Sequence, residues 1–435
     1  MEEGNSDYLI PCLFATVIIM AILILWLVLY NTPNEEEFGD TVTKIMENVA
    51  GVPTIVISEK APKKNILQKI LGNVNTSKIS FKITQDMSLD YKIDVPSYSD
   101  YNFAGKGLVI AASGTRYRYL TGLYTNLYVI RKFHKSNIPV EIFYVGSSEE
   151  FSPIIKNMIL ELGNIRIFNL MDRLDTTSSE IDLRGYQTKP LSVLCSSFEE
   201  IILMDADALC FVDPQYFFLC EGYDKFGMVL FKDYVDCLSF ISQDFIETIG
   251  IGTEKYCNYT NDYEIDSSCV ILNKEKCWDA LFTICIINVK SDSYHKSRNV
   301  LGDKDTWLIG SMFVGISPFI SRPEPCILIT DEQKQIVGHL QSSIIIDSTD
   351  SNEVILYYNN QKVDMLTAEV DDWTYAEVKN PRSGEENNLG TPLSRKIIDC
   401  FAQAKIAMKK LTPFIPKLLK LSMTSINGVS NGLIP

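Results

Sequence analysis

The sequence has no Cys-x-x-Cys pair, no glycine-rich phosphate loop and only three histidines among its 435 residues. Without paired cysteines, a structural zinc site is disfavoured. Without a GxGxxG or P-loop pattern, so are Rossmann dinucleotide enzymes and P-loop NTPases. Basic residues are also scarce, with 40 Lys and Arg against 55 Asp and Glu, for a net charge of −15. Because binding to nucleic acid requires a basic surface, we expect no nucleic-acid partner.

Hydrophobic residues make up 46% of the chain, enough for a sizeable core in two domains or in one large elaborated domain. Eleven cysteines are present, and Cys12 lies in a long apolar stretch near the N-terminus. The other ten either pair in an oxidising compartment or remain buried free thiols, and their connectivity cannot be read from the sequence. Two glycosylation sequons, at Asn75 and Asn258, mildly favour a luminal protein.

Residues 9–30 form an uninterrupted stretch of 22 uncharged residues. As a helix this stretch is about 33 Å long, close to the hydrocarbon thickness of a bilayer. Trp26 and Tyr30 lie where interfacial aromatic anchors are expected. The alternatives are a buried core helix or a cleaved signal peptide, whose apolar region is usually shorter and follows basic residues. We expect a transmembrane anchor at 9–30, a short cytosolic tail at 1–8 and a luminal body.

Composition divides the rest of the chain into three parts. Residues 31–100 are polar and contain several prolines, which predicts a stem. A catalytic domain is expected at 101–360 and a C-terminal extension at 361–435. The extension contains a basic amphipathic segment at 394–421. This segment either lies on a membrane surface or forms a solvated helix that ends near Pro413.

Hydrophobic patterning predicts the fold class of the body. Short apolar runs bounded by polar residues are typical of buried strands, and helical spacing separates several of these runs. Strands that alternate with helices predict βαβ units, and therefore an α/β fold with a mainly parallel sheet. The predicted strands lie at 108–112, 140–145, 165–168, 201–204, 228–231 and 269–273, and the predicted helices at 117–135, 153–162, 189–197 and 276–288. A hairpin is expected from 342–346 and 354–358.

The most informative motif is Asp205-Ala206-Asp207, which directly follows the apolar run at 201–204. Carboxylates at the end of such a strand point into the crevice where α/β sheets bind ligands. Their oxygens suit Mg²⁺ or Mn²⁺, which in turn can hold a diphosphate. A divalent ion also allows an acidic protein to bind an anionic nucleotide.

Four further segments fit such a site. Lys189 precedes the motif and either meets a phosphate or points into solvent. Asp233 follows the 228–231 strand and either lines an acceptor groove or lies in an ordinary loop. Glu264 and Asp266 share one face of an extended segment, since strand side chains repeat every two residues. The segment 302–307 places three charges between a glycine and a tryptophan, which indicates either a partly enclosed polar cluster or a surface turn.

A histidine late in the fold can complete a metal shell begun by two carboxylates. His339 lies ahead of the predicted hairpin and is the candidate, although a lone histidine is commonly a surface or packed residue. His134 and His295 lie among lysines and are expected at the surface.

Together these segments resemble the fungal-type α-mannosyltransferases of glycosyltransferase family 71, which are type II Golgi proteins. The resemblance runs from about residue 105 to 359. It rests on an ordered series of matches at 107–114, 138–144, 185–191, 196–207, 213–214, 266–268, 302–306 and 338–339.

The resemblance implies a GT-A-like nucleotide-sugar-binding fold and a luminal Golgi enzyme with one membrane span. It implies GDP-mannose as donor, Mn²⁺ or Mg²⁺ as cofactor and a mannose-containing glycan as acceptor, with retention of configuration. Two departures stand out. The family usually has Glu-Ser-Gly where this chain has Asp266-Ser267-Ser268, and a Phe-Leu-His-like segment near Tyr357-Tyr358-Asn359. The second departure leaves His339 as the better candidate for a third ligand.

The predicted site assigns a role to each candidate residue. Metal binding falls to Asp205, Asp207 and His339, and contact with the nucleotide sugar to Ser113, Gly114, Lys189, Asp205 and Asp207. Stabilisation of the sugar cation or orientation of the acceptor falls to Asp266, Asp303 or Asp305. Two alternatives stay open: a glycosyltransferase with a UDP-linked donor, and an inactive membrane-anchored relative that binds glycans.

Overall fold

The computed structural model describes residues 79–80, 95–175, 183, 185–289, 299–329, 336–347, 350–360, 377–379 and 395–414. The predicted tail, anchor and most of the predicted stem lie outside these residues. Within the described part of the chain, no helix combines the length and the hydropathy needed to cross a membrane.

The strands and helices follow the apolar runs of the sequence closely. The strands are β1 (Ile79–Ser80), β2 (Lys106–Ala111), β3 (Val140–Tyr144), β4 (Ile165–Asn169), β5 (Leu174–Asp175), β6 (Glu200–Asp205), β7 (Ala208–Cys210), β8 (Met228–Asp236), β9 (Tyr263–Asn273), β10 (Phe319–Ile320), β11 (Cys326–Ile329), β12 (Ile336–Asp347), β13 (Asp350–Asn360) and β14 (Glu377–Lys379). The helices are α1 (Tyr117–Tyr128), α2 (Pro153–Leu160), α3 (Thr188–Cys195), α4 (Tyr223–Phe226), α5 (Gln243–Thr248), α6 (Thr253–Thr260), α7 (Lys274–Val289), α8 (Thr306–Phe313) and α9 (Arg395–Leu411).

A seven-stranded mixed sheet forms the centre of the body, in the order β10-β8-β9-β6-β2-β3-β4. Strand β2 runs parallel to both β3 and β6, and β4 and β10 are also parallel to their neighbours. Only β9 is antiparallel to the strands beside it, β6 and β8. The prediction of an α/β fold with a mainly parallel sheet is therefore confirmed.

The central strands have apolar residues on both sides over most of their length, as expected where both faces of the sheet are covered. In β2, the side chains of Leu108 and Ile110 pack into one core cluster, while Val109 packs into the cluster on the opposite face. This alternation is what the two-residue repeat of a strand requires. The two cores hold β6 rigidly, and β6 carries the Asp205 motif at its carboxyl end.

A second, five-stranded sheet has the order β14-β11-β12-β13-β7. The predicted hairpin is present as β12 and β13, which are longer than the sequence pattern indicated. Strand β7 begins at Ala208, directly after the motif, and pairs with β13. The motif therefore forms the turn through which the chain passes from the first sheet to the second.

The C-terminal helix α9 packs against the body. The side chains of Cys400, Phe401 and Ala404 are buried, and the Phe401 ring meets those of Phe211 and Tyr358 with centroids 5.4 Å and 5.5 Å apart. The apolar face that prompted a membrane interpretation of 394–421 is thus buried within the protein over residues 395–411. The helix ends at Leu411, as expected near Pro413, and residues beyond 414 lie outside the described part.

Both interpretations of the cysteines hold in part. Cys237 and Cys257 form a disulfide that joins the end of β8 to α6. The remaining cysteines of the described residues are buried free thiols.

Candidate active site

The Asp205 motif lies at the carboxyl edge of the central sheet. Pairing of Ala111 with Asp205 aligns the ends of β2 and β6, so Ser113 and Gly114 lie just beyond the same edge. The side chains of Asp205 and Asp207 are both partly exposed, although the residues around them are buried. The predicted position of the motif is therefore the observed one.

Lys189 joins the motif to two other predicted segments. Its Nζ lies 2.8 Å from Oδ1 of Asp205 and 3.1 Å from Oδ1 of Asp303, and it donates a 3.0 Å hydrogen bond to Oγ of Ser267. The helix α3 begins one residue earlier, at Thr188, and aims this lysine at the sheet edge. Lys189 is ion-paired and does not point freely into solvent, and its contact with a phosphate stays a prediction.

The electrostatics of this cluster are dominated by negative charge. Burial opposes the charge on Lys189, but Asp205 and Asp303 outweigh it and raise the pKa of the ammonium above its usual value. Burial also raises the pKa of Asp205, and Asp207 and Asp303 raise it further, against the opposing effect of Lys189. One ammonium therefore does not compensate all the carboxylates around it.

Helix α1 approaches the motif from one side. A Cβ added to Gly122 would lie 2.5 Å from the carbonyl oxygen of Ala206 and 2.7 Å from Cα of Asp207. Only a glycine allows the helix to lie this close to the turn. Sequence reasoning did not identify Gly122, since a glycine inside a helical pattern carries no signal of what it faces.

Asp266 lies deep beside the motif and is held by several donors. Nε2 of His339 lies 2.8 Å from its Oδ2, Nε2 of Gln341 donates to the same oxygen at 2.9 Å, and the backbone N–H of Ser268 donates to Oδ1 at 2.8 Å. Burial opposes ionisation of Asp266, but His339 and Ser268 outweigh it and hold its pKa well below its usual range. These contacts tie β9 to β12, so the described partners of Asp266 all belong to the protein scaffold.

The predicted polar cluster at 302–307 is enclosed, as one of its two interpretations required. Asp303 is buried and accepts a 3.0 Å hydrogen bond from Nε1 of Trp307. Nζ of Lys304 lies 2.8 Å from Oδ2 of Asp233 and 2.5 Å from Oε2 of Glu264. Asp233 lies within strand β8 and is ion-paired. The interpretation of Asp233 as an ordinary loop residue is therefore wrong.

Asp305 is fully buried and faces the scaffold. Its Oδ1 accepts hydrogen bonds from the Tyr256 hydroxyl at 2.6 Å and from the Ile265 N–H at 2.9 Å. Burial raises the pKa of Asp305, with Glu264 adding to the effect and Lys304 opposing it. Its contacts link the 302–305 segment to β9 and α6.

Ser113 and Gly114 form part of the loop after β2. The Ser113 hydroxyl lies 3.1 Å from that of Thr115, and the Gly114 N–H donates to the carbonyl oxygen of Glu149 at 2.8 Å. A Cβ on Gly114 would lie 2.5 Å from Cα of Phe151, so this glycine is required by close backbone packing.

Asp205 and Asp207 are the candidate ligands for a divalent cation. No group of three or more His, Cys, Asp or Glu side chains within the described ranges lies close enough together to hold an ion. Two partly exposed carboxylates nevertheless fit Mg²⁺ or Mn²⁺, because Mg²⁺ is commonly held by one or two carboxylates together with substrate phosphates and water. His339 contacts Asp266 through Nε2, and its buried Nδ1 has no hydrogen-bond partner among the described residues. A ligand role for His339 stays a prediction.

Comparison with known proteins gives one family and several relatives. Residues 105–348 match the family described as "Mannosyltransferase putative". The alpha-1,3-mannosyltransferase MNT3 of Saccharomyces cerevisiae is 25% identical over 272 residues, which cover 53% of this chain and 43% of MNT3. The alpha-1,3-mannosyltransferase MNT2 of the same yeast is 31% identical over 151 residues, 33% of this chain and 25% of MNT2. The chain thus spans less than half the length of these relatives.

Solved structures give weaker likenesses. The galactosyltransferase LgtC, in complex with donor and acceptor sugar analogues, matches with a TM-score of 0.34 and 14% identity. The match covers 50% of this chain and 73% of the LgtC chain. The mannosyltransferase Ktr4p of Saccharomyces cerevisiae has a TM-score of 0.31 and 11% identity, over 65% of this chain and 83% of its own.

Proposed function

This chain belongs to the fungal-type mannosyltransferase family, and we propose that it transfers mannose from GDP-mannose to a mannose of a glycoprotein glycan, with a metal ion and with retention of configuration. We infer that its mixed sheet is of the GT-A type. The observation that carries the proposal is the cluster at the end of β6, where Lys189 joins Asp205, Asp303 and Ser267 beside Asp207.

In this proposal, Asp205 and Asp207 hold Mn²⁺ or Mg²⁺. The bound ion supplies charge that stabilises the departing diphosphate. Lys189 supplies a second positive charge in the same place, and burial keeps its field strong. The rigid β6 strand and the close packing of Gly122 keep both carboxylates in fixed positions.

The remaining carboxylates have different parts. Asp303 shares Lys189 with Asp205, so it is the carboxylate proposed to face the reacting sugar and stabilise its positive charge. Asp266 and Asp305, which are held by scaffold donors, act as positioning residues. Retaining transfer on the front face of the sugar needs no strong base, since the leaving phosphate can take the acceptor proton.

We propose the Golgi lumen as the location, with the anchor at 9–30 in the membrane. The Cys237–Cys257 disulfide supports an oxidising compartment. Asn258 is exposed and is the first residue of a glycosylation sequon, which further supports a luminal location.

A donor screen tests the proposal. Full-length enzyme in detergent is incubated with Mn²⁺, mannose oligosaccharides and either GDP-mannose, UDP-glucose or UDP-N-acetylglucosamine, and products are weighed by mass spectrometry. We expect one added mannose with GDP-mannose only. Transfer from a UDP-sugar would assign a different donor. Calorimetry that detects no Mn²⁺-dependent nucleotide binding would favour the inactive, glycan-binding relative.

Substitution of the motif provides the matched test. Asp207→Asn removes one charge at constant size, and we expect transfer to fall by at least about 10²-fold, because the motif would hold the cation that stabilises the leaving group less tightly. Asp244→Asn, at an exposed position on α5, is the control and should leave transfer unchanged. Full metal-dependent transfer by Asp207→Asn would disprove the assignment of the motif.

A further inference from the structure

Three large apolar side chains are exposed around one short segment near the site. Tyr186 is 57% exposed, Phe240 is 47% exposed and Leu301 is 48% exposed. Single exposed apolar residues are common and carry no message, but a cluster beside a polar site is typical of a ligand surface.

Contacts place Tyr186 and Phe240 against the 301–304 segment, of which Leu301 is the first residue. A Cβ added to Gly302 would lie 3.2 Å from Cδ1 of the Tyr186 ring, so the ring packs against this glycine. Two residues further, Nζ of Lys304 lies 5.0 Å from the centroid of the Phe240 ring. Asp303 lies between these two contacts and shares Lys189 with Asp205. The two aromatic rings therefore contact Gly302 and Lys304, the residues on either side of Asp303 in the chain.

Phe240 is held in place by contacts of its backbone and of its loop. Its backbone N–H donates to Oε1 of Glu264 at 2.6 Å, and the Ser242 N–H donates to the Asn299 carbonyl oxygen at 2.9 Å. The Cys237–Cys257 disulfide fixes the start of the same loop. Such anchoring reduces the entropy lost when a ligand binds to an exposed ring.

Pyranose sugars match this combination of groups. One face of the ring presents C–H groups, which pack on an aromatic face, and hydroxyl groups at the rim need hydrogen-bond partners. Ligand sites generally combine an aromatic surface with a few charged groups that fix orientation. Here Asp233 and Lys304 lie beside Phe240 and are both partly exposed, so they can meet such hydroxyls.

We propose that Phe240 and Tyr186 form a stacking platform for a pyranose of the acceptor glycan, next to the sugar that receives mannose. The assignment to the acceptor rests on the proposed function. It is favoured over the nucleotide base because Phe240 contacts Lys304, whose ion pairs are with Asp233 and Glu264 and not with the carboxylates proposed to hold the diphosphate.

The test separates acceptor binding from donor binding. Binding of α-mannobiose and α-mannotetraose to the full-length protein is measured by saturation-transfer NMR, and KM values for donor and acceptor are measured by product mass. In Phe240→Ala and Tyr186→Ala we expect acceptor affinity to fall about tenfold, with donor KM shifted less than twofold. The conservative variants Phe240→Tyr and Tyr186→Phe keep an aromatic ring and should retain acceptor binding. Tyr216→Ala, at an exposed tyrosine on the Pro214–Leu219 turn, is the matched control.

Each outcome is decisive. An unchanged acceptor affinity in both alanine variants overturns the platform, and so does a rise in donor KM alone, which would assign the rings to the nucleotide base. Failure of the wild-type protein to bind mannose oligosaccharides also overturns it. The remaining outcome is a protein that binds mannose oligosaccharides without using GDP-mannose. If Phe240→Ala then abolishes this binding, the platform is supported and the proposed donor is refuted.

Discussion

Substitution of Gly122 by alanine tests whether the close approach of α1 to the Asp205 motif sets the geometry of the site. In helix interiors alanine is more stable than glycine by about 1 kcal/mol, so helix propensity alone predicts a gain in stability. The added methyl group, however, would lie 2.5 Å from the carbonyl oxygen of Ala206 and 2.7 Å from Cα of Asp207. Both neighbours are backbone atoms, so no side-chain rotation relieves the clash.

The size of the effect follows from these distances. To reach an ordinary contact of 3.4 Å, the helix and the turn must separate by about 0.9 Å. Overpacking of this kind costs about 1–3 kcal/mol, and the gain in helix propensity offsets about 1 kcal/mol of it. The net loss of stability should therefore be about 0–2 kcal/mol. Displacement of a catalytic group by about 1 Å can cost about 10²-fold in rate. We therefore expect a folded variant with a transfer rate reduced by about 10²-fold.

The assay measures kcat for mannose transfer, affinity for GDP in the presence of Mn²⁺, and unfolding by urea. Gly107→Ala is the control because it also overpacks, placing a Cβ 2.2 Å from the Phe198 ring, but at the opposite end of β2 from the motif. It should lower stability and leave GDP affinity nearly unchanged. If Gly122→Ala transfers mannose within threefold of the wild-type rate and binds GDP equally well, the turn is not held by this contact and the reasoning is wrong.

Three other changes give distinct expectations. Lys189→Met should reduce kcat/KM for GDP-mannose by about 10²-fold, because a buried positive charge at the leaving group is lost; a change below threefold in steady-state assays would contradict its role. Paired replacement of Cys237 and Cys257 by serine should lower the free energy of unfolding by about 2–4 kcal/mol in denaturant titrations, and an unchanged midpoint would contradict this. Burial lowers the pKa of Lys274 to about 7 from 10.5. Between these values the unfolded chain binds more protons, so wild-type stability relative to Lys274→Met should rise from about pH 7 to about pH 10 and level off below about pH 7, as urea titrations at several pH values can show.

Local patterns were sufficient to predict six of the seven strands of the central sheet and the position of the motif. The run at 201–204 has polar residues on both sides, and a short apolar run of this length is typical of a strand buried on both faces. The observed β6, Glu200–Asp205, extends it by one residue at each end. Asp205 was therefore expected at the carboxyl end of a strand, whatever the order of the strands.

Contacts between distant segments were beyond the same reasoning. The antiparallel strand β9 inserts between β6 and β8, and nothing in its apolar sequence specifies direction. The ion pairs of Lys304 with Asp233 and Glu264 join three elements far apart in the chain. The cysteine pairing also depends on this topology, since the end of β8 must return beside α6 before Cys237 can reach Cys257. These features follow from the tertiary arrangement, which local propensity does not encode.

The charges of the cluster explain why metal and nucleotide should bind together. Asp205 and Asp303 both contact one ammonium, that of Lys189, and Asp207 adds a third carboxylate near Asp205. With all of these groups ionised, the surplus is two negative charges, which a diphosphate alone would meet as repulsion and a divalent cation would neutralise. Burial is the main cause of the raised pKa of Asp205, and the neighbouring carboxylates Asp207 and Asp303 raise it further. A protein in which Lys189 matched the carboxylates one for one would have no such need of a cation.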